Sequence, residues 1–265
     1  MQPKFAYPAR RLLGGVSRLA IVAALAATLG ACANKPSTDI TGSIQNPARG
    51  ENDRTDVTRL GEQYQQNQSD PQIAINYAQA LRRTDQRAQA VAVLEQSSIK
   101  NPKHKPLLGE YGRALADNGR LQQALEVLSR AHTPDMPDWR ILNAQGAIND
   151  QLGNFKEARR YYQTALRIVP EEPSVLSNQG LSHILAKELV QAEAILRRAA
   201  ANPRADKRVR QNLALSLALQ GKFDEAEKIA AGDLPPDEAR ANVASLRDMI
   251  KEQEQRPRNN KRKQS

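Results

Sequence analysis

From residue 71 onward the apolar and small positions recur every 34 residues. With rows begun at Pro71, Lys105, Trp139, Pro173 and Lys207, the twentieth place holds Ala90, Ala124, Ala158, Ala192 and Ala226. The eighth place is always small: Ala78, Gly112, Gly146, Gly180 and Ala214. The twenty-fourth carries Leu94, Leu128, Tyr162, Leu196 and Ala230, and the seventeenth Arg87, Leu121, Phe155, Leu189 and Phe223. Within a row the spacing is helical and is interrupted near the fifteenth place, at Asp85, Gly119, Gly153, Lys187 and Gly221. Each row is therefore expected to form two antiparallel helices. Small residues at places eight and twenty would let the backbones approach where they cross, and larger apolar groups would fill the space beside the crossing. Pro102 and Pro170, at place thirty-two, cannot continue a helix and turn the chain to the next row.

This 34-residue pattern resembles the tetratricopeptide repeat. "LGNFKEARRYYQTALRIVP" (152–170) carries the likeness best, and about 170 of the 265 residues share it. The resemblance implies an all-α, right-handed helical solenoid over 71–234. The fifth row drifts, with Arg210 at place four and Asp233 at place twenty-seven, and "GDLPPDEAR" ends it early. A helix from Pro236 to about residue 254, with the stripe Val243, Leu246, Met249 and Ile250, is expected to cap the stack, because a terminal solenoid unit needs a polar outer face. Residues 255–265 are expected to be a disordered basic tail. Ahead of the rows, Val57, Leu60 and Tyr64 predict one short amphipathic helix within 55–70.

The N-terminus has a different texture. "MQPKFAYPARRLLGGVSR" is basic and free of acids, and a 13-residue apolar run, "LAIVAALAATLGA", follows it. That run is well below the ~20 residues needed to span a bilayer. Together they have the form of an export signal over 1–31. Arg10-Arg11 lacks the rest of a twin-arginine motif, and "ACA" would also permit ordinary cleavage after Ala33. "LGAC" (29–32) resembles the bacterial lipobox and ends on Cys32, the single cysteine of the chain. The resemblance implies lipidation of Cys32. It is the one covalent group expected, with no cofactor or metal. With Ala33 rather than Asp next, it further implies sorting to the outer membrane, facing the periplasm. Two or more acyl chains anchor stably where one does not. Residues 32–54, rich in Pro, Gly, Ser, Thr, Asn and Asp, would be a flexible tether.

Composition narrows the function. Hydrophobic residues make up 40% and aromatics 4%, a helix-leaning profile, and one cysteine excludes an intramolecular disulfide and a cysteine-cluster metal site. Of the net +10, +4 lies in residues 1–31 and +5 in the last ten residues, which leaves +1 for the body between. The charge that would suggest nucleic acid is thus confined to the two ends. No small-molecule chemistry stands out: His104 lies between lysines, His132 in a proline-bounded loop and His183 at a packing position, and no phosphate loop or nucleophile elbow is present. A catalytic reading would need a site of unrecognised form.

On the repeat family's pattern, places two, five, nine, twelve and thirteen of each first helix face an inner groove. The resemblance thereby assigns Arg82, Arg83, Arg113, Arg140 and Asn143 to its N-terminal half, and Leu181, Ile184, Leu185, Leu215 and Leu219 to its C-terminal half. A groove so lined would hold a partner segment by an acidic part and an apolar part. The alternative is that the arginines are solvated and the leucines pack between rows. The Lys/Asn carboxylate clamp of some family members has no counterpart at these places.

A lipid-anchored adaptor of this size resembles the TadD-type lipoprotein of the tight-adherence (Tad/Flp) pilus system, most clearly over "LGNFKEARRYYQTALRIVPEEPSVLSNQGLSHILAKELVQAE". That resemblance implies protein partners in pilus assembly, the outer-membrane secretin among them. Type IV pilus pilotins share the architecture. Adaptors of cell-wall synthesis or outer-membrane protein assembly are the further alternative.

Overall fold

The computed structural model describes residues 47–262, with side chains from 53 to 252. The expected export signal, Cys32 and the expected tether up to residue 46 lie outside the described residues. Twelve helices are present among those described: α1 Pro47–Gln66, α2 Pro71–Arg83, α3 Arg87–Lys100, α4 Lys105–Asp117, α5 Leu121–Ser129, α6 Trp139–Gln151, α7 Phe155–Ile168, α8 Pro173–Leu185, α9 Leu189–Ala201, α10 Lys207–Leu219, α11 Phe223–Ala230 and α12 Pro236–Arg262. Every row of the sequence pattern becomes one helix pair, α2/α3 to α10/α11, and the pairs stack as a right-handed solenoid.

The fifteenth place of every row has positive φ: +78° at Gly119, Gly153 and Gly221, 61° at Asp85 and 63° at Lys187. Glycine enters this region without steric cost, which is why the pattern favours it there. All five alanines at place twenty are fully buried. The eighth place must be small for a specific reason. A Cβ on Gly112, Gly146 or Gly180 would stand 2.4, 2.4 and 2.5 Å from Leu128, Tyr162 and Leu196, the residues at place twenty-four of the same row.

The starts of the first helices carry a second 34-residue signal. The place just before each row holds Asp70, His104, Asp138, Glu172 and Asp206. Asp70 accepts from the backbone N–H of Gln72 and Ile73, His104 Nδ1 from Leu107, Asp138 from Arg140 and Asp206 from Val209. These are helix N-caps, each worth about 1 kcal/mol. His104, flanked by lysines, is thus a capping residue.

Successive first helices touch one another (α2–α4, α4–α6, α6–α8, α8–α10), whereas successive second helices scarcely meet. Closer spacing on the first-helix side makes that side the inner one. The core runs through the stack: Tyr64 of α1, Leu81, Leu94, Leu107, Leu115 and Leu128 in the first two rows, Leu142 and Tyr162 in the third, Val175, Leu176 and Ala199 in the fourth and Val209 in the fifth.

Both ends differ from expectation. The first helix is longer than a segment within 55–70, since it starts at Pro47, so the last eight residues of the expected tether are helical. Proline is well suited to a first helical turn, and the far end is held by Val57, Leu60 and Tyr64 against the first row. The Tyr64 and Tyr77 rings lie 5.7 Å apart. At the other end α12 begins at Pro236, as the sequence suggests, but continues to Arg262 through much of the expected disordered tail. That extension runs through Pro257, Asn259 and Asn260, and local helix propensity does not account for it.

Candidate functional site

The second row departs from its neighbours. Its second helix, α5, has 9 residues where α3 and α7 have 14. Pro134 and Pro137 forbid the missing turns. Instead the chain makes a tight turn, in which Met136 N–H donates to the Thr133 carbonyl at 3.1 Å. This turn leaves Met136 71% exposed.

The turn walls off a cavity of about 720 Å³ on the inner face of the first three rows. Gln72, Ile75 and Gln79 of α2 line one side, Lys105, Pro106, Gly109 and Arg113 of α4 the floor, and Met136, Pro137, Trp139 and Arg140 the other side. These α2 and α4 residues cluster at the first-helix places two, five and nine. The Arg140 guanidinium carbon lies 4.4 Å from the Trp139 ring centroid, a cation–π pair presented to the cavity. Lys105 and Arg140 form no ion pair among the described residues. The lining also includes Glu110 and Asp138, but Glu110 is engaged by Arg82 and Arg113 and Asp138 by the Arg140 backbone N–H, so the cavity offers apolar surface together with two cations outside any ion pair.

The ten residues assigned to the groove are distributed as follows. Arg113 and Arg140 line the cavity. Arg113 is paired with Glu110 at 2.5 Å. Arg82 donates to Glu110 at 3.0 Å and to Asp117 at 2.6 Å, so it braces the first row against the second. Arg83 faces Asp53 and Asp56 of α1, at 3.5 and 3.9 Å. Asn143 accepts from Asn178 at 3.0 Å, a link between the third and fourth rows that Asn212 and Ser177 repeat, also at 3.0 Å, between the fourth and fifth. Ile184 and Leu215 are buried in the stack, with 2% and 4% exposure, so neither is available as an open apolar wall. Leu181, Leu185 and Leu219 are half-buried, and Leu185 borders a different pocket. The open groove thus lies toward the N-terminal rows, and its accessible apolar part is Trp139 and Met136, neither of which the repeat pattern assigns to the groove, with Ile75 of place five buried beneath them.

A second polar centre lies between the third and fourth rows. Asp150, at the twelfth place of its row, is buried and accepts from Tyr162 Oη at 2.7 Å and from Ser182 Oγ at 2.6 Å. Burial pushes its carboxyl up to about 6, against the opposing pull of the Ser182 and Tyr162 hydrogen bonds and the Arg159 charge. Burial, with Asp150 beside it, pushes the Tyr162 hydroxyl up as well. Close by, His183 Nδ1 donates to Glu188 at 2.6 Å, which holds this mostly buried imidazole in place. His132 Nε2 meets Gln145 at 3.3 Å. The only sequence signal for the Asp150 centre was tyrosine at place twenty-four, where three other rows have leucine. No described helix is long and apolar enough to cross a membrane, and no described group of three His, Cys, Asp or Glu is placed to hold a metal ion.

The tetratricopeptide repeat family model matches residues 64–138 and 143–207. The chain belongs to the tetratricopeptide repeat family. Solved structures with the same fold include TTC0263 of Thermus thermophilus, at a TM-score of 0.58 and 22% identity, covering 67% of this chain and 98% of that one. The pilF protein of Pseudomonas aeruginosa aligns with a TM-score of 0.53 and 18% identity over 70% and 82% of the two chains. A chain of the APC/C hetero-tetramer Cut9-Hcn1 aligns at 0.62 with 15% identity. That match covers 78% of this chain but spans only 41% of the other. At these identities the likeness is one of fold. No curated protein matches the chain. As a tetratricopeptide repeat protein, the chain has the fold of a protein-interaction scaffold, a fold that is typically non-catalytic.

Proposed function

We propose that this tetratricopeptide repeat protein is a lipid-anchored, periplasm-facing adaptor that assists assembly of a Tad/Flp-type pilus secretion apparatus, with the outer-membrane secretin as its partner. The observation that carries the interaction is the walled cavity on the inner face, where Trp139 and Met136 supply apolar contact and Lys105 and Arg140 supply charge. An extended segment with an acidic residue next to an apolar one suits that lining. The export signal and the lipobox cysteine, Cys32, support the anchor, and an outer-membrane location facing the periplasm follows from the anchor and Ala33. The pathway rests on the resemblance of 152–193 to TadD-type lipoproteins, and the fold shared with the pilF protein is consistent with it.

The test is affinity capture of the full-length protein from cross-linked envelopes, followed by mass spectrometry. The reading expects a secretin or pilus-platform protein, lost with Arg140→Glu and lost with Cys32→Ser. Recovery of cell-wall synthases or β-barrel assembly proteins instead would replace the pathway and keep the adaptor. Recovery of the same partner with Arg140→Glu would remove the cavity from the mechanism.

A further inference from the structure

The inner cavity is not the only built concavity. Where the third and fourth rows turn from first to second helix, a pocket of about 710 Å³ opens, and it shares no residue with the groove. Its charged lining comprises Lys156, Arg159, Arg160 and Lys187 with Glu157 and Glu188. Both acids are committed. Glu157 pairs with Arg160 at 3.1 Å, and Glu188 accepts from His183 at 2.6 Å while facing Arg159 at 3.4 Å. Lys156 and Lys187 have no carboxylate partner among the described residues. In addition, Nη1 of Arg159, for all its approach to Glu188, is shielded from water and makes no hydrogen bond. Closed to water, Nη1 adds charge behind the pocket rather than a contact, and the two exposed, unneutralised ammonium groups are the donors open to an acceptor-rich anion.

Lys187 reinforces this. It stands at φ +63°, in the turn where three other rows have glycine. An unbranched basic side chain gains nothing from that backbone, and strain of this kind collects at binding sites. Asp85, the other exception, belongs to a residue type that tolerates the conformation better.

We infer that this pocket binds a phosphate group, received by Lys156 and Lys187 with the Arg159 charge behind them. The pocket is larger than a bare phosphate, and Phe155 and Leu185 line the rest of it, so the phosphate is carried on a larger body. A phospholipid headgroup and a soluble phosphorylated compound share this chemistry. This inference is independent of the adaptor reading.

Binding is measured on the full chain with two probes. Inorganic phosphate is compared with chloride at equal ionic strength, and phosphatidylglycerol vesicles with phosphatidylcholine vesicles. Lys187→Gly relieves the backbone and is expected to unfold at a higher temperature than wild type, so loss of binding in that background is not loss of fold. Lys156→Ala with Lys187→Gly is expected to weaken binding of the preferred probe at least tenfold. Lys100→Ala with Lys103→Ala, which removes the same charge from another exposed site, is expected to change it far less. A response to free phosphate identifies a soluble ligand, and a response to the anionic vesicles alone identifies a headgroup. No preference for either probe over its control overturns the inference, as does equal loss in the two double variants.

Discussion

Arg210 and Asp233 form a two-pronged ion pair, Nε to Oδ2 at 2.7 Å and Nη2 to Oδ1 at 2.5 Å, between the fourth and twenty-seventh places of the last row. The other four rows bury Ala74, Leu108, Leu142 and Leu176 at the first of these places and Ser97, Ala131, Ala165 and Ala199 at the second. What reads along the chain as drift from the repeat is a matched exchange, one charged pair for one small or apolar pair, in the row next to the cap.

Either single substitution, Arg210→Leu or Asp233→Ala, should lower the thermal midpoint, because each leaves an unmatched charge in a half-buried position. The double substitution restores the residue types of the inner rows and should recover most of the loss. Arg210 also holds the Asp233 carboxyl below its usual range. A depressed acid contributes stability above its unfolded pKa, which is lost as the pH falls through the folded value. The wild type should therefore lose stability relative to the double variant on acidification below about pH 4. Thermal melts of the four proteins across pH form the cycle that checks both statements.

Asp150 has the opposite sign. Below about pH 4 its carboxyl is neutral in folded and unfolded chains alike. Between there and about 6 only the unfolded chain ionises, so folding becomes less favourable as the pH rises, and above 6 the difference is constant. The gap between the ordinary value and 6 corresponds to roughly 3 kcal/mol. Asp150→Asn keeps the shape and can still hydrogen bond to Tyr162 and Ser182. It should match the wild type near pH 4 and exceed it by up to that amount at pH 7 in denaturant titrations.

Gly146→Ala should destabilise by about 1–3 kcal/mol, as overpacking does. Its Cβ would lie 2.4 Å from the Tyr162 ring, which is itself tethered through its hydroxyl to Asp150 and has no free direction to move. A urea midpoint equal to the wild type would show that the ring yields.

The inner-face arginines should separate by experiment. Arg82→Glu leaves Glu110 and Asp117 facing a third acid and should lower the melting temperature. Arg140→Glu, on an exposed residue with no ion pair among the described residues, should leave melting unchanged and weaken binding to an acidic partner segment. Melting curves beside a binding titration distinguish the two roles.

The period of 34 was enough to place all five turns, the helix pairs and the buried alanines, and it was the break in that period at "GDLPPDEAR" that marked the start of the last helix at Pro236. Each of these depends on a local backbone preference or on packing between adjacent helices, and both are written at short, regular spacing. The helix caps at Asp70, His104, Asp138 and Asp206 are of the same local kind, since a cap acts within three residues of itself. The inner face was legible only as a set of places. Tertiary structure decided which of its arginines are free, because Arg82 meets acids 28 and 35 residues away along the chain and Arg113 shares one of them. The superhelix likewise brought Ser182 to Asp150, 32 residues apart, and carried the Thr133–Met136 turn over the groove. A repeat pattern records which residue types each row needs. Charge compensation and cavity walls depend on distances between rows, and those exist only once the rows have stacked.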